Sequence, residues 1–236
     1  MAIEKLRLLL LPGLDGTGLL FAPLLAALPA GVRAEVLRYP CEHPLTLAQH
    51  ADVVEQAWPA DGRVVLLAES FSGLVALQLM QRRPPRLAGL LCVAAFAEPP
   101  RPWLLQLATR LPGSAHLARG APDWLLRHAC VGREADAATL ALLRQALARV
   151  APAVIAHRLA LLRSVARPPA GPAGDLPPLR YLQALGDRLV PRRSAGWFQA
   201  HWPGCRVDAI DGPHFLLQAR PGACARWVSE ALATMV

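Results

Sequence analysis

The chain has 236 residues, 54% hydrophobic and 18% charged, a balance that excludes disorder and supplies enough apolar surface for one sizeable core. Its formal charge of +8 rests almost wholly on arginine, with Lys5 as the only lysine; the arginines stand singly or in pairs with no interleaved aromatics, which argues against nucleic acid as a partner. No apolar run approaches the ~18 residues of a membrane span, and Glu4 stands where a signal peptide would be positive, so the expected location is cytoplasmic.

Residues 6–11 read as the first strand and are cut by Pro12-Gly13; a helical pattern follows over 19–28. A strand over 35–39 and a helix over 45–58 come next, then a strand over 64–68 and a helix over 72–81. The fourth strand spans 90–94. These runs are nearly continuous in apolar character, as strands buried on both faces of a parallel sheet must be.

Alternation then stops. Pro99-Pro100 opens a segment rich in Leu, Ala, Arg and Trp, with candidate helices over 102–111, 123–130, 134–150 and 152–166. The irregular stretch 168–174, rich in Pro and Gly, closes it. Strands over 179–185 and 206–210 and helices over 193–202 and 221–235 complete the chain. The expected architecture is α/β, a doubly wound, mostly parallel six-stranded sheet. Residues 1–97 and 176–236 form the core, and 98–175 form a helical cap over the sheet edge where ligands bind.

Between the third strand and its helix stands Ala68-Glu69-Ser70-Phe71-Ser72-Gly73. A serine at such a turn, with small residues two positions either side, forms a nucleophile elbow. Ala68 and Ser72 replace the two glycines of the G-x-S-x-G pattern. An elbow serine needs a base, and the base an orienting acid. His214 follows the last strand in Gly212-Pro213-His214-Phe215, and Asp187 follows the fifth in Gly186-Asp187-Arg188. Both sit on loops at the edge that carries Ser70. His201 is the rival base, and Asp208 and Asp211 are the rival orienters. The loop Pro12-Gly13-Leu14-Asp15-Gly16-Thr17-Gly18 lacks a P-loop lysine and the dinucleotide spacing. It suits an oxyanion hole, with the backbone N–H groups of Leu14 and Phe71 as donors. Asp15 would support its turn and Thr17 cap the helix.

On Pro12–Gly16, Glu69–Gly73, the Gly186–Pro191 segment and Gly212–Phe215, the chain resembles the α/β-hydrolase superfamily. The resemblance spans nearly the whole chain. It implies Ser70, Asp187 and His214 as catalytic triad, and Leu14 and Phe71 as oxyanion donors. Pro12 stands where many members carry the histidine of a His-Gly pair, so support for that loop must come from elsewhere. The chain begins a few residues before the first parallel strand, so the leading antiparallel strands are expected to be absent.

The expected activity is hydrolysis of a carboxylic ester or thioester with an apolar acyl group, through an acyl-enzyme and without cofactor or metal. Trp103, Leu104 and Trp124 of the cap are candidate substrate contacts. The alternatives are an acyltransferase on the same triad and a non-catalytic binding protein on the same scaffold. Five scattered cysteines without a C-x-x-C pair are expected to be reduced thiols.

Overall fold

The computed structural model describes residues 6–101, 120–164 and 176–235. Its strands are β1 (Leu6–Leu11), β2 (Arg33–Val36), β3 (Arg63–Glu69), β4 (Leu87–Val93), β5 (Leu179–Ala184) and β6 (Arg206–Ile210). They form one sheet in the order β2-β1-β3-β4-β5-β6. Every pairing is parallel, so among the described residues the sheet holds no antiparallel strand. The helices are α1 (Ala22–Ala27), α2 (Leu47–Gln56), α3 (Ser72–Met80), α4 (Asp123–Leu126), α5 (Ala137–Ala148), α6 (Pro152–Ser164), α7 (Arg193–His201), α8 (Leu216–Ala219) and α9 (Pro221–Ala233).

Successive strand residues point to opposite faces, and both faces are covered. Leu9 and Leu11 of β1 and Val64, Leu66 and Ala68 of β3 meet α2, α3 and α7 in one layer. Leu8, Leu10, Val65 and Leu67 meet α1, α8 and α9 in the other. This explains why the central strands carry no polar alternation. Each fully buried Leu or Val adds roughly 1.5–3 kcal/mol.

The elements differ from the sequence pattern mainly at their ends. The helix expected over 45–58 begins at Leu47, because Thr46 and Gln49 close a capping box. The strand expected over 35–39 is β2 at Arg33–Val36, paired with Arg7–Leu10. Beyond it the Tyr39 N–H leaves the ladder and bonds the Gly16 carbonyl at 2.8 Å. The helix expected over 19–28 is a 3-10 turn (Leu19–Phe21) leading into α1. The one expected over 123–130 is α4 followed by a π-helical turn, Arg127–Val131. The candidate helix at 102–111 and the stretch 168–174 lie outside the described residues.

Between β4 and β5 the described residues 120–164 are mainly helical. Leu126, Val131, Leu140, Leu143 and Ala146 form their own cluster with Leu20 and Phe215. Val150, Val154 and Ile155 gather against Cys41. These helices therefore lie against the loops that leave the carboxyl ends of β1, β2 and β6. Among the described residues no single helix is long and apolar enough to cross a membrane.

Candidate active site

β3 ends at Glu69 and α3 starts at Ser72, so Ser70 and Phe71 make the whole turn. Ser70 has φ +51°, the left-handed region that non-glycine residues rarely adopt. Its N–H stays in the ladder, donating to the Val93 carbonyl at 3.0 Å, and its carbonyl accepts from Gly73 N–H at 3.0 Å. The turn leaves no room for bulk. A Cβ on Gly73 would stand 2.9 Å from Ala95 Cβ and from the Phe96 carbonyl oxygen, and Ala68 and Ser72 are fully buried.

The structure brings Ser70, His214 and Asp187 into one hydrogen-bonded chain. His214 Nε2 lies 3.0 Å from Ser70 Oγ, and His214 Nδ1 lies 2.7 Å from Asp187 Oδ2. A carboxylate only accepts, so Nδ1 carries the hydrogen and Nε2 is left to accept from the Ser70 hydroxyl. The other Asp187 oxygen, Oδ1, accepts from Leu189 N–H and Val190 N–H, each at 2.8 Å. The two loops are joined directly, Gly186 N–H donating to the Gly212 carbonyl at 2.9 Å. A Cβ on Gly186 would lie 2.9 Å from that oxygen, which explains the glycine there.

Burial disfavours a charged ring at His214, but the Asp187 charge, its hydrogen bond and the Glu69 charge outweigh this and raise its pKa above the ordinary value. Glu69 is itself buried beneath the elbow and accepts from Gln218 Nε2 at 3.1 Å. Desolvation pushes its carboxyl up to about 7 against the help of that hydrogen bond.

The loop after β1 abuts the serine: a Cβ on Gly13 would lie 3.8 Å from Ser70 Cβ. Gly16 N–H closes a turn onto the Gly13 carbonyl at 3.1 Å. Asp15 Oδ2 accepts from Thr17 N–H at 2.9 Å and from its hydroxyl at 2.5 Å, while Thr17 Oγ1 accepts from Leu19 N–H at 3.2 Å. Among the described residues no protein group accepts from Leu14 N–H or Phe71 N–H. With Pro12 in place of a supporting histidine, the Ser72 hydroxyl donates to the Pro12 carbonyl at 2.5 Å and lies 2.7 Å from the Tyr39 hydroxyl. The guanidinium of Arg158, on α6, donates to the carbonyls of Leu14, Asp15 and Pro40. Sequence reasoning did not single out Tyr39 or Arg158. Arg158 stands in a helix whose face it cannot reveal, one arginine among many.

Two of the rival residues, His201 and Asp208, are engaged elsewhere. His201 bonds the Trp197 carbonyl and stacks on that ring at 4.4 Å. Asp208 pairs with Arg180 at 2.7 Å and accepts from the Trp227 indole. As for Asp211, the carboxylate that His214 Nδ1 meets is that of Asp187. Of the candidate substrate contacts, Trp124 stands 69% exposed on α4, and Trp103 and Leu104 lie outside the described residues. A cavity of about 500 Å³ is lined by His128, Arg133, Glu134, Asp136, Arg188 and Arg220 among others. It meets the backs of the two loops at Gly186 and Pro213, and none of Ser70, Asp187 and His214 lines it.

The model of the Alpha/beta hydrolase family matches residues 8–227. Among solved structures, an esterase from Exiguobacterium antarcticum superposes with a TM-score of 0.79 at 11% identity, over 96% of this chain and 91% of that one. A thermophilic esterase from Thermogutta terrifontis gives 0.76 at 18% identity over 98% and 90%. An enol-lactonase from Burkholderia xenovorans LB400 gives 0.76 at 18% identity over 96% and 91%. Likeness at these identities shows the fold. No curated protein matches the chain.

Proposed function

Because this chain belongs to the alpha/beta hydrolase family, we propose that it is a serine hydrolase cleaving a carboxylic ester or thioester of a small to medium apolar acyl group. The observation that carries the reading is the unbroken chain from Ser70 Oγ through His214 to Asp187, at 3.0 and 2.7 Å, on a strained turn. The fold is shared with esterases and an enol-lactonase, which favours an ester over an amide.

In this mechanism His214 Nε2 takes the hydroxyl proton as Ser70 Oγ attacks the acyl carbon. Asp187 keeps the hydrogen on Nδ1 and stabilises the imidazolium without taking the proton itself. The tetrahedral oxyanion accepts from Leu14 N–H and Phe71 N–H; losing one such donor typically costs ~3 kcal/mol of transition-state stabilisation. His214 then protonates the leaving group and later activates water to release the acid. The strain at Ser70 serves this by lifting Oγ clear of the sheet edge.

Residues 98–175 act as a cap on this site, with Trp103, Leu104 and Trp124 as candidate acyl contacts. Two contacts beside the proposed base support that role. Phe215 N–H donates to the Cys130 carbonyl at 3.1 Å, and a Cβ on Gly132 would lie 3.2 Å from Pro213.

Turnover of a chromogenic ester series of increasing acyl length tests the reading. Wild type is expected to hydrolyse short and medium esters, and Ser70→Ala to lose that turnover. Retention of most of it by Ser70→Ala would sink the proposal.

A further inference from the structure

Arg158 is 1% exposed, and among the described residues it pairs with no carboxylate. A buried guanidinium carries a large desolvation cost unless its hydrogens are matched. Here they meet main-chain oxygens: Nη1 donates to the Leu14 carbonyl at 2.9 Å and the Asp15 carbonyl at 2.7 Å, and Nη2 to the Pro40 carbonyl at 2.9 Å. Nε is buried without a partner. The backbone is shaped to admit this group. Gly16 has φ +72°, and a Cβ there would stand 2.5 Å from Nη1 and 2.8 Å from Cζ.

All of this happens on the loop that would supply an oxyanion donor. The residue whose carbonyl Arg158 holds, Leu14, is the one whose N–H would meet the oxyanion. The same loop is fastened at its start by Ser72 on the Pro12 carbonyl and through Gly16 by the Tyr39 N–H. The Tyr39 ring lies 5.8 Å from the guanidinium carbon.

We propose that Arg158 is the positioning residue of the oxyanion hole, reaching from the helical segment to fix the Leu14–Asp15 backbone so that Leu14 N–H is aimed at the tetrahedral intermediate. The role rests on the serine-hydrolase reading above. Nη1 meets the two successive carbonyls of Leu14 and Asp15 while the other arm of the planar fork holds the Pro40 carbonyl, a three-carbonyl set that a single lysine ammonium cannot hold with the same geometry. Its charge, placed in a water-poor region, also adds to the field that stabilises a developing oxyanion. The arrangement ties catalytic competence to the docking of α6.

The test compares Arg158→Lys, Arg158→Met and Gly16→Ala with wild type and Ser70→Ala. kcat and KM on one chromogenic ester are normalised to the serine fraction titrated by a fluorophosphonate, and inhibition by an alkyl boronic acid, which forms a tetrahedral adduct on serine, is measured alongside. We expect kcat to fall roughly 10- to 100-fold in Arg158→Met and Gly16→Ala, with KM changed less than about 3-fold, as for a donor displaced by a fraction of an ångström to an ångström. The boronate inhibition constant should rise in proportion to the loss in kcat/KM, and Arg158→Lys should fall between. Unchanged kcat, or a loss confined to KM, would overturn the proposal. If Arg158→Met does not fold, the lysine and Gly16→Ala variants decide by the same criteria. Turnover that survives in Ser70→Ala would overturn the serine-hydrolase reading, and Arg158's role with it. Serine-dependent turnover indifferent to Arg158 and Gly16 would overturn this role alone.

Discussion

The hydroxyl of Ser72 donates to the carbonyl of Pro12 at 2.5 Å, joining the first residue of α3 to the loop after β1. Ser72 therefore does more than fill the place of an elbow glycine: it ties the nucleophile's turn to the proposed oxyanion loop. Ser72→Ala keeps the small volume but leaves the buried Pro12 carbonyl and the Tyr39 hydroxyl without this partner. We expect a stability loss of about 1–2 kcal/mol in urea denaturation. kcat should fall roughly 10-fold, by the misplacement argument, with little change in KM. An unaltered kcat in the folded variant would separate the two loops functionally.

The raised pKa of His214 sets the acidic limb of the pH–rate profile. The ring must be neutral to act as base, so activity is lost as pH falls through its folded-state value. That limb in kcat/KM should lie above the ordinary histidine value of 6.5. The same shift contributes stability that is present below the unfolded value and lost as pH rises through the folded one. Asp187→Asn removes two of the three influences that raise the pKa. Its limb should move to lower pH, and kcat should fall by about 10³–10⁴, the scale seen when an orienting acid is neutralised in other triads. A limb that stays in place would assign the shift to another group.

Glu69 makes a separate prediction for stability. Burial holds its carboxyl protonated up to about 7, whereas the unfolded chain ionises near 4.5. Wild-type stability should therefore decline as pH rises from the unfolded to the folded value. Glu69→Gln lacks that penalty and should be more stable at pH 8, by on the order of 3 kcal/mol. The gap should close near pH 4.5. Equal pH dependence of the two proteins in urea denaturation would show that Glu69 is ionised in the fold without cost.

The sheet was legible because burial on both faces leaves an unmistakable mark on β1, β3 and β4: runs such as Leu8–Leu11 and Val64–Leu67 without polar interruption. The edge strand β2 carries a weaker signal, with alternate residues exposed and the others only partly buried, and its limits slid accordingly. Ser70, Asp187 and His214 could be picked out because each stands in the loop or turn that leaves the carboxyl end of a strand, and a parallel sheet delivers all those ends to one edge. The four-residue α8 is too short to show a period. Arg158 was invisible for another reason. Its partners are main-chain carbonyls, one of them 144 positions away, and backbone acceptors leave no trace in side-chain identity. The bonds of Ser72 to the Pro12 carbonyl and of the Tyr39 N–H to the Gly16 carbonyl are hidden in the same way.

Labelling with a fluorophosphonate, read by intact mass and peptide mapping, tests the central claim most directly. The account predicts one adduct per chain, carried by Ser70, formed faster in wild type than in Asp187→Asn and absent from Ser70→Ala. A folded protein that takes no label, or takes it at another residue, would contradict the account and favour a binding role on a hydrolase scaffold.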